Sequence, residues 1–198
     1  MLPVRFAIFD AAQHYRVPMF CAPWFFLDLP RQLTRREREM VDDPKAGQYL
    51  IEAIRAAKDN VRRRTNAPFG AVIARQGKFI ATAVNQVDDL CDPTAHAEMQ
   101  AIRAAAKALN STDLSGCTVY ASGYPCPMCL TAMYLSGVEK VYYAYSNEDG
   151  APYGLSAERG YVELARPLDR REMKLQGLRA RDDGEDLYEA WSRVQAGR

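Results

Sequence analysis

Asp92-Pro93-Thr94-Ala95-His96-Ala97-Glu98 and Tyr124-Pro125-Cys126-Pro127-Met128-Cys129 are the two stretches whose reading decides the fold. Each opens a helix. Thr94 precedes a segment with helical apolar spacing, which predicts a helix over Ala95 to Leu109 with His96 and Glu98 in its first turn. Pro127 lacks an N–H that would have no intrahelical partner at a helix start, and it predicts a second helix over Pro127 to Ser136. Val119 to Ser122 reads as a strand between them. Working outward, Phe69 to Ala74 and Phe79 to Val84 read as strands joined by a turn at Gln76-Gly77. Upstream, Asp43-Pro44 is a helix start, and Leu50, Ile51, Ile54, Ala57 and Val61 recur at helical spacing as its buried face. Downstream, the reading is a strand from Val141 to Tyr145 and a polar loop from Ser146 to Gly154. A helical turn near Ala157 to Leu164, a strand near Met173 to Leu178 and a helix from Glu185 to Gln195 follow. Strands alternating with helices predict an α/β chain: a three-layer α/β/α sandwich with helices on both faces of a mixed central sheet.

The same stretches carry chemistry. His96, Cys126 and Cys129 are one imidazole and two thiolates, donors that Zn²⁺ prefers, and Glu98 is a carboxylate two residues from the histidine. Structural zinc sites close with four protein ligands, whereas three leave a position for water, whose pKa the metal brings near neutrality. Taken singly, each residue is ordinary. A lone histidine is more often a hydrogen-bonded structural residue, Glu98 alone a solvated helix carboxylate, and a cysteine pair a redox couple or half of a structural site. Order, spacing and flanking prolines fit one chemistry together: H-x-E followed by P-C-x-x-C is the signature of zinc nucleobase deaminases, with the glutamate moving protons.

At these residues the chain resembles the cytidine and deoxycytidylate deaminase-like superfamily, within it the guanine deaminase and tRNA-adenosine deaminase branch. Asn66-Ala67-Pro68-Phe69-Gly70-Ala71-Val72-Ile73 is similar to the first core strand of that branch, and Asp92 to Glu98 to the guanine deaminase form of the zinc helix. The resemblance covers roughly residues 44–165, with an echo at Tyr188-Glu189-Ala190-Trp191. It implies the deaminase strand order, two zinc-bearing helices with their N-termini at the metal, a zinc cofactor and a homodimer. It also implies that Phe69 stacks on the substrate ring and Asn85 hydrogen-bonds its edge. Two departures bear on substrate. Tyr124 stands where many purine deaminases of this branch have Glu, and Gly154-Leu155-Ser156-Ala157 lacks the aspartates of guanine deaminases; Glu148, Asp149 or Glu158 would substitute for them, with Glu148 or Asp149 the choice for the substrate edge. The reading is a hydrolytic deaminase of a small aminopurine base or nucleoside, guanine or guanosine-like. A tRNA-adenosine deaminase is the alternative, and a non-catalytic zinc-stabilised binding module is the alternative of another class.

Composition sets the bounds. A length of 198 residues allows one domain with a sizeable core. Lys plus Arg number 26 against 25 Asp plus Glu, so the chain lacks the basic excess of a protein that grips a long polyanion, and nucleic acid is not the expected partner. Five cysteines, an odd count without framework spacing, fit a reducing compartment. No apolar run is long enough for a membrane span and the start lacks a signal-peptide pattern, so the expectation is a cytoplasmic protein. Residues 1–43, with Phe20, Trp24, Phe25 and Phe26 set among prolines, read as an N-terminal extension of unknown role ahead of a deaminase domain over 44–198.

Overall fold

The computed structural model describes residues 43–63, 66–178 and 184–196; the N-terminal extension lies outside the described residues. Helix α1 (Ala46–Arg63) leads into a hairpin of β1 (Gly70–Arg75) and β2 (Lys78–Val84). The short α2 (Val87–Leu90) and the long α3 (Ala97–Leu109) come next, followed by β3 (Cys117–Gly123), α4 (Pro127–Leu135) and β4 (Lys140–Tyr145). Beyond the sheet lie α5 (Asn147–Gly150), a 3-10 turn at Ala151–Tyr153, α6 (Glu158–Ala165) and α7 (Leu187–Ala196).

The four strands form one sheet in the order β2-β1-β3-β4. Gln76 and Gly77 both have positive φ, 49° and 70°, the backbone that a two-residue hairpin turn needs to match strand twist. The β1–β2 and β1–β3 pairs are antiparallel and β3–β4 is parallel, with Ala71 opposite Ala121 and Val119 opposite Val141. This register gathers the C-terminal ends of β2, β3 and β4 at one end of the sheet. Because α3 and α4 follow β2 and β3, both helices start at that end. The mixed sheet with helices on both faces is the predicted architecture.

One face of the sheet buries Ala97, Ala101 and Ala105 of α3 with Cys129 and Met133 of α4. The other buries Tyr49 and Ala53 of α1 against Val72, Ala74 and Tyr120. Tyr120 also stacks on Tyr142, with ring centroids 5.5 Å apart and planes within 8°, and its hydroxyl donates to the Asp43 carboxylate.

Three expectations change. The buried face of α1 is Tyr49, Ala53, Ala57 and Asn60 rather than its largest aliphatics; Ile51 and Val61 are about half exposed, at 50% and 47%. The cause is close packing. A Cβ on Gly70 would lie 2.3 Å from the Ala53 carbonyl oxygen, so only small side chains fit where α1 crosses β1. The strand expected at Met173 to Leu178 does not form; Met173, Leu175 and Leu178 are exposed, and among the described residues no strand neighbours them to satisfy their backbone. The expected polar loop after β4 folds into α5 and the 3-10 turn, started by a capping box in which the Ser146 side chain accepts from the Asp149 N–H and the Asp149 carboxylate accepts from the Ser146 N–H. Among the described residues, no helix is long and apolar enough to cross a membrane.

Candidate active site

His96 and Cys126 occupy the same structural position on different helices. Each is the N-cap of its helix, with extended backbone (φ −64°, ψ 155° and φ −72°, ψ 165°), and neither side chain makes a capping bond. Freed from capping, both side chains serve the cluster instead. Cys129 lies one helical turn beyond Cys126 and is fully buried. The Cys126 and Cys129 sulfurs are 3.5 Å apart, and the His96 Nδ1 lies 3.5 Å from the first and 3.7 Å from the second. A tetrahedral ion with Zn–S of about 2.3 Å and Zn–N of about 2.0–2.1 Å spans S–S and S–N edges of about 3.6–3.8 Å. The donor set therefore fits zinc in chemistry and in spacing. His96, Cys126 and Cys129 are the group of metal-ligating side chains found within 4.8 Å of one another among the described residues.

Glu98 stands beside this group and outside it. It is 6% exposed, and its Oε2 accepts from the Cys129 thiol at 3.6 Å. Burial raises its pKa above the usual glutamate value, so the carboxyl keeps a proton to higher pH than an exposed one. Between the thiols, the Cys129 hydrogen bond draws Cys126 down to about 4, and the imidazole assists. Cys129, tied to Cys126 and buried, moves the opposite way. The hydrogen bond with Cys126 raises His96. The pair thus yields one thiolate readily even without metal.

The approach to α3 is held by short-range chemistry. Asp92 accepts from both the N–H and the hydroxyl of Thr94, at 2.8 and 2.7 Å, which sets the turn before His96. The Gln86 N–H donates to the Ala95 carbonyl at 2.9 Å and ties this turn to the end of β2.

Phe69 and Asn85 are joined directly: the Asn85 N–H donates to the Phe69 carbonyl at 3.0 Å. Asn85 is buried, its Oδ1 accepts from the Val87 N–H at 3.3 Å, and its carbonyl accepts from the Asn60 side chain at 2.9 Å. The Phe69 ring packs on the core cluster that includes Cys126 and Cys129, under Gly123, where an added Cβ would come within 2.8 Å of the ring. A cavity of about 640 Å³ opens beside Phe69, lined also by Lys58, Tyr124, Tyr145, Asp149 and Tyr153. Its volume is in the range of small-ligand pockets. The three clustered donors do not line it. Asp149 is the acidic residue of its lining and Glu148 lies off it; both are exposed.

Residues 44–145 match the family described as the cytidine and deoxycytidylate deaminase zinc-binding region. The chain belongs to that family. Over 123 residues it is 41% identical to guanine deaminase of Bacillus subtilis (strain 168), covering 62% of this chain and 79% of the relative. A tRNA-specific adenosine deaminase of Aquifex aeolicus (strain VF5) is 44% identical over 96 residues, 48% of this chain and 63% of the relative. The X-ray structure of guanine deaminase from Bacillus subtilis superimposes with a TM-score of 0.65 at 36% identity, covering 76% of this chain and 92% of that one. The protein is a zinc-dependent hydrolytic deaminase with the fold of that family.

Some contacts around the deaminase site had no signal in the sequence. Asn60 reaches Asn85 across 25 residues, and Tyr161 reaches Pro125 across 36. Neither belongs to a local motif. Asn66, three residues before Phe69, is buried with its Oδ1 accepting from the Asp88 N–H, while its Nδ2 has no partner.

Proposed function

We propose that the enzyme deaminates a small aminopurine base or nucleoside, guanine or guanosine-like, with His96, Cys126 and Cys129 holding zinc and Glu98 carrying protons. The observation that carries this reading is the placement of Glu98: buried, 3.6 Å from the Cys129 sulfur, yet not one of the three clustered donors. A purely structural site has no use for such a carboxylate, which argues against a non-catalytic module. Bound zinc supplies a water molecule acidic enough to serve as nucleophile near neutral pH. Glu98, buried beside the donors that would hold the metal, would take a proton from the nucleophilic water and pass it to a ring nitrogen. Hydroxide would add to the ring carbon bearing the amino group; the adduct's hydroxyl proton would then pass through Glu98 to the amine, the C–N bond would break, and ammonia would leave a carbonyl behind. Burial suits Glu98 to this work, because its raised pKa lets it hold and release a proton nearer neutrality.

Phe69 offers a ring face, and the buried Asn85 amide stands in backbone contact with it. Asp149, on the wall of the adjoining cavity, is the better placed of the two acidic candidates to receive the donors of a 2-aminopurine edge; Glu148 is the other. The purine reading draws on the longer match to guanine deaminase, 123 residues against 96 for the tRNA-adenosine deaminase. The near-neutral charge favours a small molecule over folded RNA. We read the assembly as a homodimer and the compartment as cytoplasmic, with the domain running over residues 44–198.

The test is ammonia release from purified protein with guanine, guanosine, adenine, adenosine, cytosine and cytidine, beside an adenosine-containing RNA hairpin. The expected result is fastest turnover with guanine or guanosine. Cytidine as best substrate, or turnover of the hairpin alone, overturns the substrate reading.

A further inference from the structure

Helix α6 contributes no donor to the cluster, yet it meets the Cys126 loop at three points. The Tyr161 hydroxyl donates to the Pro125 carbonyl at 2.7 Å. The Tyr161 ring meets Tyr124 edge-on, with centroids 5.7 Å apart and planes at 73°. Gly160 passes so near Pro127 that an added Cβ would lie 3.1 Å from its Cγ. These contacts fall on three of the four residues that flank Cys126 within two positions, Tyr124, Pro125 and Pro127. The Pro125 carbonyl belongs to the peptide that enters Cys126, so the bond from Tyr161 restrains rotation of that peptide plane. Cys126 needs such an external restraint. Its backbone is extended rather than helical, and its side chain makes no capping bond.

We propose that Tyr161 is a positioning residue for the metal centre: its hydroxyl holds the Pro125–Cys126 peptide so that the Cys126 sulfur stays in reach of His96 and Cys129. The proposal rests on the reading of Cys126 as a zinc ligand. It explains why a hydroxyl is placed at this half-buried spot, where packing on Tyr124 alone would be served by Phe. It also gives α6 a role at the Cys126 turn, where a Cβ on Gly160 would press on Pro127.

The experiment measures zinc release from the full-length holoprotein to a chromogenic chelator, with the absorption spectrum of the cobalt-substituted protein as second readout. Loss of an outer-shell partner commonly weakens metal binding by about 10–100-fold. Tyr161→Phe is expected to release zinc at least about tenfold faster and to alter the thiolate-to-cobalt band. Tyr143→Phe is the control: Tyr143 packs edge-on against Tyr124 at 4.9 Å, so it trims a hydroxyl from the same aromatic group. Its release rate and spectrum should match wild type. Release at the wild-type rate in Tyr161→Phe, or equal acceleration in both variants, overturns the proposal. Should Tyr161→Phe fail to fold, Tyr161→Met, which also lacks the hydroxyl, takes its place: faster release than wild type is expected, and the wild-type rate overturns the proposal. Cys126→Ser separates the two readings. Full zinc content in that variant removes the ligand assignment itself, whereas zinc loss there with unchanged Tyr161→Phe removes only the role of Tyr161.

Discussion

In the proposed function, Glu98 is a helical position given to chemistry at a cost to the fold. It sits in the first turn of α3, where a carboxylate is favoured by the helix dipole, yet it is buried, which penalises its charge. The two effects oppose, and burial wins. Glu98→Gln preserves shape and removes only proton transfer. The expected outcome is retained zinc and melting temperature with turnover lowered by about 10²–10⁴. Elemental analysis beside the ammonia assay checks it, and substantial residual activity would move the proton carrier elsewhere. Cys129→Ala should instead lose the metal, because a cluster of three donors reduced to two no longer encloses an ion. Zinc content per chain decides that case.

At the scale of elements, the site depends on how α1 and the two ligand helices are held to opposite faces of one sheet. The α1–β1 contact is set by backbone, with Gly70 pressed under the Ala53 carbonyl and its N–H donating to the Ser122 hydroxyl at 3.0 Å. Gly70→Ala must therefore separate helix from strand. Overpacking of this kind costs about 1–3 kcal/mol, and more where backbone is the obstacle. We expect a lower melting temperature for Gly70→Ala, and an unchanged one would mean that α1 packs elsewhere. The helices were legible from the sequence because their starts are chemical: Asp43-Pro44, the Asp92-Pro93-Thr94 turn, and Pro127. The face that α1 buries was legible only in part: Ala57 was expected and is buried, Ile51 and Val61 were expected and are not. Apolar spacing favoured the large aliphatics Ile51 and Val61, whereas the close crossing at Gly70 admits Ala53 and Ala57. The predicted strand at Met173 to Leu178 failed for a related reason: its composition suits a strand, but a strand exists only where another offers its edge.

For the whole molecule, the distribution of apolar surface is uneven. Leu187, Tyr188, Trp191 and Val194 of α7 are exposed, as are Tyr134 and Leu135 at the end of α4. Helix α7 buries none of its residues. An amphipathic helix left in this way has an apolar face to satisfy, and closed twofold association is the commonest solution for soluble chains. The homodimer reading predicts twice the chain mass by light scattering at micromolar concentration, and a shift toward monomer in Trp191→Asp. A monomeric wild-type protein would remove it.

The sequence by itself determined the donor set, the carboxylate beside it, the order of helices and strands from the first helix to Tyr145, and through them the family. These are properties of short segments: a cap, a proline, an alternation, a motif six residues long. What only the tertiary structure decided is the set of contacts that aim those residues. Asn60 at the carbonyl of Asn85, Gly123 above the Phe69 ring and Tyr161 at Pro125 join positions 25 to 54 residues apart. No local pattern encodes such pairs, because each exists only after strand register and helix packing have brought distant segments to the same end of the sheet.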